Sequence, residues 1–202
     1  MTPASKDTRQ QITHAAVKAF RQYGYAKTTV SDIAKACHMS PANIYRFFPS
    51  KDAIIEEMAG TVVREMDAAI QKILARPLTA SERLEAFTLE MLRYNRKELV
   101  EDANMYELVV VCMENHRTVI TEHLERVIAL LTEVVRQGIA SGEFTVADPR
   151  AAAEAVFNSL CMFHHPLMLA KHLNPALEDQ ARQVIGLLCR GLRSPERAPR
   201  LS

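Results

Sequence analysis

Residues 28–51 read TTVSDIAKACHMSPANIYRFFPSK, and this stretch decides the architecture. Val30, Ile33, Ala34 and Cys37 recur at i, i+3, i+4 and i+7, the spacing of one helix face. Thr29 with Asp32 three residues on is a capping-box pattern, in which each side chain satisfies the other's backbone N–H. Cys37-His38-Met39 forms a turn. Ser40 is suited to cap a second helix, and Pro41 to its first position, where a missing N–H costs nothing. At about 100° per residue, Ile44 and Phe48 fall on one side of this helix, with Ala42, Asn43, Tyr45 and Arg46 spread over the other. Pro49 stops it, Ser50 caps a third helix, and Lys51 adds a cation at that helix's start.

The outward set has the chemistry of a reader of base edges. Asn pairs with an adenine edge, and Arg with guanine or a phosphate. Ala42 is small enough for close approach, and Tyr45 can reach a phosphate oxygen or pack on a thymine methyl. An ordinary helical hairpin with a solvated polar face would share the pattern.

Residues 8–58 resemble the DNA-binding domain of the TetR/AcrR (tetracycline-repressor-like) family of bacterial transcriptional regulators. The resemblance is carried by Ala16, Phe20, Gly24-Tyr25, Thr28-Thr29-Val30, Asp32-Ile33-Ala34, Ser40, Ile44-Tyr45, Phe48 and Ser50-Lys51, at fixed spacing without a gap. His38 departs from it, standing where the family usually has Gly. A turn residue there often needs a positive φ, which strains His slightly.

Charge placement agrees. Net charge is +1. Residues 1–51 hold eight Lys/Arg against two Asp/Glu, a net +6, and the remainder 17 against 22, a net −5. A basic head on an acidic body suits a molecule that touches phosphates at one end. The N-terminal MTPASKDTRQQ is polar, without a signal-peptide pattern, and no apolar run approaches the roughly 18 residues of a membrane span. Cys37, Cys112, Cys161 and Cys189 lie far apart, as reduced thiols of a cytoplasmic protein would.

The rest of the chain reads as helix. A first helix over about 5–23 turns Ile12, Ala15, Ala16, Ala19, Phe20 and Tyr23 inward. A long connecting helix (52–75) carries Ile55, Met58, Ala59, Val62, Met66, Ala69 and Ile73 as its stripe. Thr79 and Glu82 cap the next helix, and segments near 102–113 and 116–140 follow. Asp148-Pro149 and Asn174-Pro175 open two last helices, about 149–171 and 176–192. These carry a broad band of small and apolar residues, including Ala152, Ala155, Val156, Ser159, Leu160 and Phe163. The reading is an all-α chain of about nine helices. A three-helix helix-turn-helix domain (1–51) is joined by the connecting helix to a helical ligand-binding and dimerisation domain (52–193), with a disordered tail at 194–202.

The resemblance implies a ligand-responsive DNA-binding regulator, a repressor, that binds a palindromic operator on double-stranded DNA as a homodimer and is released by a small, largely apolar effector. On that pattern Thr29, Ser31, Ser40, Pro41, Ala42, Asn43, Tyr45, Arg46, Phe47 and Lys51 face DNA, with Thr29, Ser31 and Lys51 mainly on phosphates. The implied effector cavity draws on Phe87, Met91, Tyr94, Met105, Tyr106, Val109, Met113, His116, Phe157, Cys161 and His164; core packing is the competing role for each. Cys112 with His116, and Cys161 with His164 and His165, have spacings that permit metal ligation, but no cluster of four forms. No cofactor, metal or enzymatic motif is expected. The rival readings are a sensor protein without DNA binding and a helical metal-dependent enzyme.

Overall fold

The computed structural model describes residues 3–194, with side chains from Asp7 onward. No strand occurs among the described residues. The eleven α-helices among them are α1 (Pro3–Tyr23), α2 (Val30–Ala36), α3 (Pro41–Tyr45), α4 (Lys51–Leu74), α5 (Ala80–Asn95), α6 (Ala103–Asn115), α7 (Arg117–Ala140), α8 (Pro149–Ser159), α9 (Cys161–His164), α10 (Pro166–His172) and α11 (Leu177–Arg193). Nine of these have seven residues or more, and a π-helical turn, Arg96–Val100, follows α5. The expected tail lies outside the described residues except for Ser194, whose N–H donates to Gly191 O at 3.1 Å and ends α11. No described helix is long and apolar enough to cross a membrane.

Contacts divide the chain into two units. The first comprises residues 3–65 and 98–121 of the described chain. Its core is closed by Ile12, Ala16 and Phe20 of α1, Ile33 and Ala34 of α2, Ile44 of α3, and Ile54, Ile55 and Met58 of α4. Met105, Leu108 and Cys112 of α6 complete it. Polar ties reinforce this placement of α6: Asn104 Nδ2 donates to Arg21 O at 2.7 Å, and the Tyr25 N–H to Glu107 Oε2 at 3.2 Å. The expected boundary put residues 98–121 with the C-terminal part, whereas their contacts lie with the N-terminal helices. Tyr23, expected inward, is 53% exposed. Gly24, in the turn after α1, has φ +82°, and a Cβ there would meet Asn104 Oδ1 at 3.1 Å and Glu107 Oε2 at 3.2 Å. Both the backbone sign and the close approach of α6 call for glycine.

The second unit comprises residues 66–97 and 122–194 of the described chain. Leu84, Phe87 and Leu92 of α5, Val127, Leu131 and Val135 of α7, and Phe144, Leu160, Phe163 and Ile185 are buried here. The Thr79–Glu82 capping box starts α5, with Thr79 N–H donating to Glu82 Oε2 at 2.9 Å and Glu82 N–H to Thr79 Oγ1 at 3.3 Å. Glu143 adds a second cap, accepting from the Ala80 N–H at 2.8 Å and the Ser81 N–H at 3.0 Å. Burial alone would raise the Glu143 carboxyl, but hydrogen bonds from Ser81, Ala80 and Arg193 hold it below the usual carboxylate range. A Cβ on Gly138 of α7 would stand 2.3 Å from the Phe144 ring, so this glycine is a packing requirement.

Three expectations are corrected by the helices themselves. The predicted helix 149–171 is three helices, interrupted at Leu160 and at His165. Pro166 clashes with an α conformation in the residue before it, and His165 is accordingly extended at φ −82°, ψ 117°. Asn174 does not cap α11 directly: its Oδ1 accepts the Ala176 N–H at 2.9 Å and the helix begins at Leu177. The α4 stripe drifts after Ala59 to Val63, Asp67, Ile70, Ile73 and Leu74, leaving Ala69 exposed.

Candidate nucleic-acid interface

The helix-turn-helix forms from local chemistry. Thr29 Oγ1 accepts the Asp32 N–H at 3.2 Å, and Asp32 Oδ2 accepts the Thr29 N–H at 2.9 Å. The same carboxylate takes the Thr29 hydroxyl proton at 2.6 Å. These bonds from the Thr29 side chain and backbone hold the Asp32 carboxyl below its ordinary value. The turn reverses at His38, φ +56°, the one non-glycine with positive φ among the described residues. Met39 N–H then donates back to Ala34 O at 2.8 Å, satisfying a terminal carbonyl of α2. Ser40 caps α3 by accepting the Asn43 N–H at 3.2 Å, and Pro41 occupies the first helical position.

Helix α3 is shorter than expected, ending at Tyr45, with Arg46 at its C-cap still in αR conformation. Phe48 N–H nevertheless reaches Ile44 O at 2.9 Å, so the helical path continues to the proline. The two faces separate sharply. Ile44 and Phe48 are sealed in the core, whereas Tyr45 is 52% exposed. Ser40, Pro41, Ala42 and Arg46 are exposed, Asn43 half-buried, and Thr29 and Ser31 of the preceding element exposed. Phe47 is half-buried and packs against the core.

The basic residues do different jobs. Lys18, Lys27, Lys35 and Arg46 are exposed. Lys51 turns inward: its ammonium donates to the Tyr25 carbonyl and lies 3.9 Å from the Tyr25 ring centroid. Burial pushes its pKa down, with Glu107 opposing. Arg9, which sequence reasoning missed, ties α1 to the segment after α3 and to α4. Its Nη1 donates to Phe47 O at 2.6 Å, its Nη2 to Glu57 Oε2 at 2.7 Å, and its guanidinium covers the Phe48 ring at 4.1 Å. An Arg three residues before the apolar Ile12 carries no such signal in a linear reading.

The effector candidates fall in both units. Met105 is core of the first unit, and Tyr106, Val109 and Met113 are half-buried on the same α6. His116, also in the first unit, is buried with Nε2 3.2 Å from Asp52 Oδ1, at the start of α4. Cys112 is held at a pKa of about 12 by burial and by the Asp52 charge, so it offers no thiolate. In the second unit, Phe87 and Met91 are buried on α5 and Tyr94 is half-buried. Phe157 and His164 stack with ring centroids 4.2 Å apart, and Cys161 is half-buried. Among the described residues, no group of three or more His, Cys, Asp or Glu converges as a metal site would require.

Residues 12–58 match the family model for bacterial regulatory proteins of the tetR family, and residues 80–185 match that for the tetracyclin repressor-like C-terminal domain. The chain belongs to the TetR family. The transcriptional regulator YhgD of Bacillus subtilis (strain 168) is 24% identical over 149 residues, 74% of this chain and 78% of that protein. The crystal structure of a TetR-family regulator from Mesorhizobium loti superimposes with a TM-score of 0.75 at 19% identity, over 95% of this chain and 98% of that one. FadR from Bacillus subtilis, solved in complex with stearoyl-CoA, does so with a TM-score of 0.62 at 23% identity, over 90% and 98%. In this TetR-family chain, then, the exposed α3 face belongs to a DNA-binding, ligand-responsive transcriptional regulator.

Proposed function

We propose that two copies of this TetR-family chain bind a palindromic operator and repress transcription, each presenting α3 to a major groove. The observation that carries this is the division of α3, with Ile44 sealed in the core while Tyr45, Ala42 and Arg46 stand outward. Asn43 and Arg46 read base edges. Thr29 and Ser31 hold phosphates together with Lys35, which fixes register but not sequence. A five-residue helix reads few base pairs, so a dyad-related second copy supplies the missing specificity and avidity.

The outward faces of α8 and α11 suit the contact between copies. Ala151, Ala155 and Ser159 are exposed on α8, and Leu187 of α11 is 63% exposed. The second unit takes a small, largely apolar effector, which favours the non-binding state. Moving the equilibrium from 1:99 to 99:1 needs about 5.5 kcal/mol of differential affinity. The protein acts in the cytoplasm and catalyses nothing.

The test is fluorescence anisotropy on an operator selected from random DNA. Asn43→Ala and Arg46→Ala each weaken binding by roughly five- to 150-fold, about 1–3 kcal/mol per bidentate contact, with melting temperature and dimerisation unchanged. Parental binding in both variants would place the reading face elsewhere.

A further inference from the structure

Lys51 is the first residue of α4, and a cation at a helix N-terminus opposes the helix dipole. Such a lysine suits an anion arriving at that end, as a phosphate of bound DNA would. Its ammonium instead faces inward. It donates to the Tyr25 carbonyl and lies 3.9 Å from the Tyr25 ring centroid and 5.8 Å from that of Phe20. The other end of the same residue is held from α6, where Glu107 Oε2 accepts the Tyr25 N–H at 3.2 Å. Asn104, on the same helix, donates from Nδ2 to Arg21 O at 2.7 Å and pins α6 against the end of α1. His116, with Nε2 3.2 Å from Asp52 Oδ1, holds the residue that follows Lys51. Two opposing effects act on the ammonium where it lies: burial disfavours its charge, and the Glu107 carboxylate favours it. Without that carboxylate, a carbonyl and two ring faces alone offset the hydration it gives up. Lys51, Tyr25 and Glu107 are half-buried rather than sealed, so rotation about the lysine stem can return the ammonium to solvent.

We propose that Glu107 is a positioning residue that withholds Lys51 from the operator: its carboxylate and a DNA phosphate compete for one ammonium, and α6 thereby restrains DNA affinity from outside the reading elements. This rests on reading α3 as the DNA-facing helix. Only residues 46–50 separate that helix from Lys51, so a released ammonium starts close to the bound duplex. A phosphate captured there is neutralised by a charge-assisted hydrogen bond and gives up its counterion, which makes the exchange visible in the salt dependence of binding.

The experiment follows operator affinity of the full chain from about 50 to 200 mM salt, in the parent, Glu107→Gln, Lys51→Met and the double variant. Glutamine keeps the size of the side chain and an oxygen for the Tyr25 N–H, so the turn retains its bond while the charge goes. The expected result is that Glu107→Gln steepens the slope of log affinity against log salt by about 0.9 for each bound copy. Adding Lys51→Met restores the parental slope, which isolates the pair. Glu114→Gln, which removes the same charge from an exposed position on α6, leaves the slope alone. Proton NMR reads the ammonium's place directly. The Lys51 ε-methylene signal, moved upfield by the Tyr25 ring, keeps that shift on operator in the parent and loses it in Glu107→Gln. An unchanged slope in Glu107→Gln, an increase that survives Lys51→Met, an equal increase in Glu114→Gln, or a slope that already falls in Lys51→Met alone overturns the proposal. Any of these leaves the reading of α3 standing if Asn43→Ala and Arg46→Ala still weaken binding; parental binding by those two sinks both.

Discussion

Arg9 and Phe48 are stacked, with the guanidinium carbon 4.1 Å from the ring centroid, and this contact holds the segment that follows α3, the helix proposed to read DNA. The same guanidinium bonds Phe47 O and Glu57, so α1, the residues after α3 and α4 share one side chain. Arg9→Met keeps much of the apolar stem but loses charge and donors. We expect a loss of about 1–2 kcal/mol in stability, the scale of a charged hydrogen bond in a half-buried site. Operator affinity should fall further than the stability change explains, because α3 loses its orientation. Urea denaturation with anisotropy on the same preparation measures both; unchanged affinity would reduce Arg9 to a packing residue.

Lys51 and Arg46 should separate in a salt titration. Each phosphate neutralised contributes about 0.9 to the slope of log affinity against log salt. Arg46→Ala should reduce that slope or relax sequence preference. Lys51→Met should leave the slope unchanged and lower thermal stability, since its ammonium is spent on Tyr25. A slope that drops by about one for Lys51→Met would return that residue to the phosphate contacts.

His38 carries a left-handed backbone, φ +56°, at an exposed turn. A side chain in that region costs about 1–2 kcal/mol, part of which glycine returns as unfolded-state entropy. His38→Gly should stabilise the protein by roughly 0.5–1 kcal/mol, seen as a higher urea midpoint at constant m-value. A lower midpoint would mean that the imidazole makes a contact outweighing the strain.

His164 sets a pH dependence. Its folded pKa, about 4, lies below the ordinary 6.5 because burial disfavours the imidazolium. Between those values the unfolded chain binds a proton that the folded chain does not, so stability falls as pH drops from about 6.5 toward 4. The dependence of unfolding free energy on pH in that window should lose about one proton in His164→Phe, which keeps a ring against Phe157. An identical pH profile in the variant would show that His164 is protonated in the native state.

What could be read in the sequence was what local chemistry determines. Thr29 with Asp32, Ser40 with Pro41, Thr79 with Glu82 and Asp148 with Pro149 all cap the helices they were expected to cap. The strain at His38 was equally legible, since it belongs to one residue's backbone. The break at His165 had a local signal in Pro166, overridden by the apolar periodicity running through it. The rest depended on tertiary partners. Tyr23 and Ala69 fit a helical stripe and are exposed because no element covers them, while Arg9 became a clasp only when Phe47, Phe48 and Glu57 arrived beside it. For the reading face, the two sides of α3 came from angular spacing alone, and the structure places Lys51 apart from that set.

Because Met105, Leu108 and Cys112 of α6 seal the core built by the first helices, the reading head is stitched from two distant stretches of chain. A nascent polypeptide cannot finish that head until well past its hundredth residue has left the ribosome. A graft that moved only the amino-terminal segment onto another regulator would carry an open apolar wound; a viable chimera must transplant 98–121 as well.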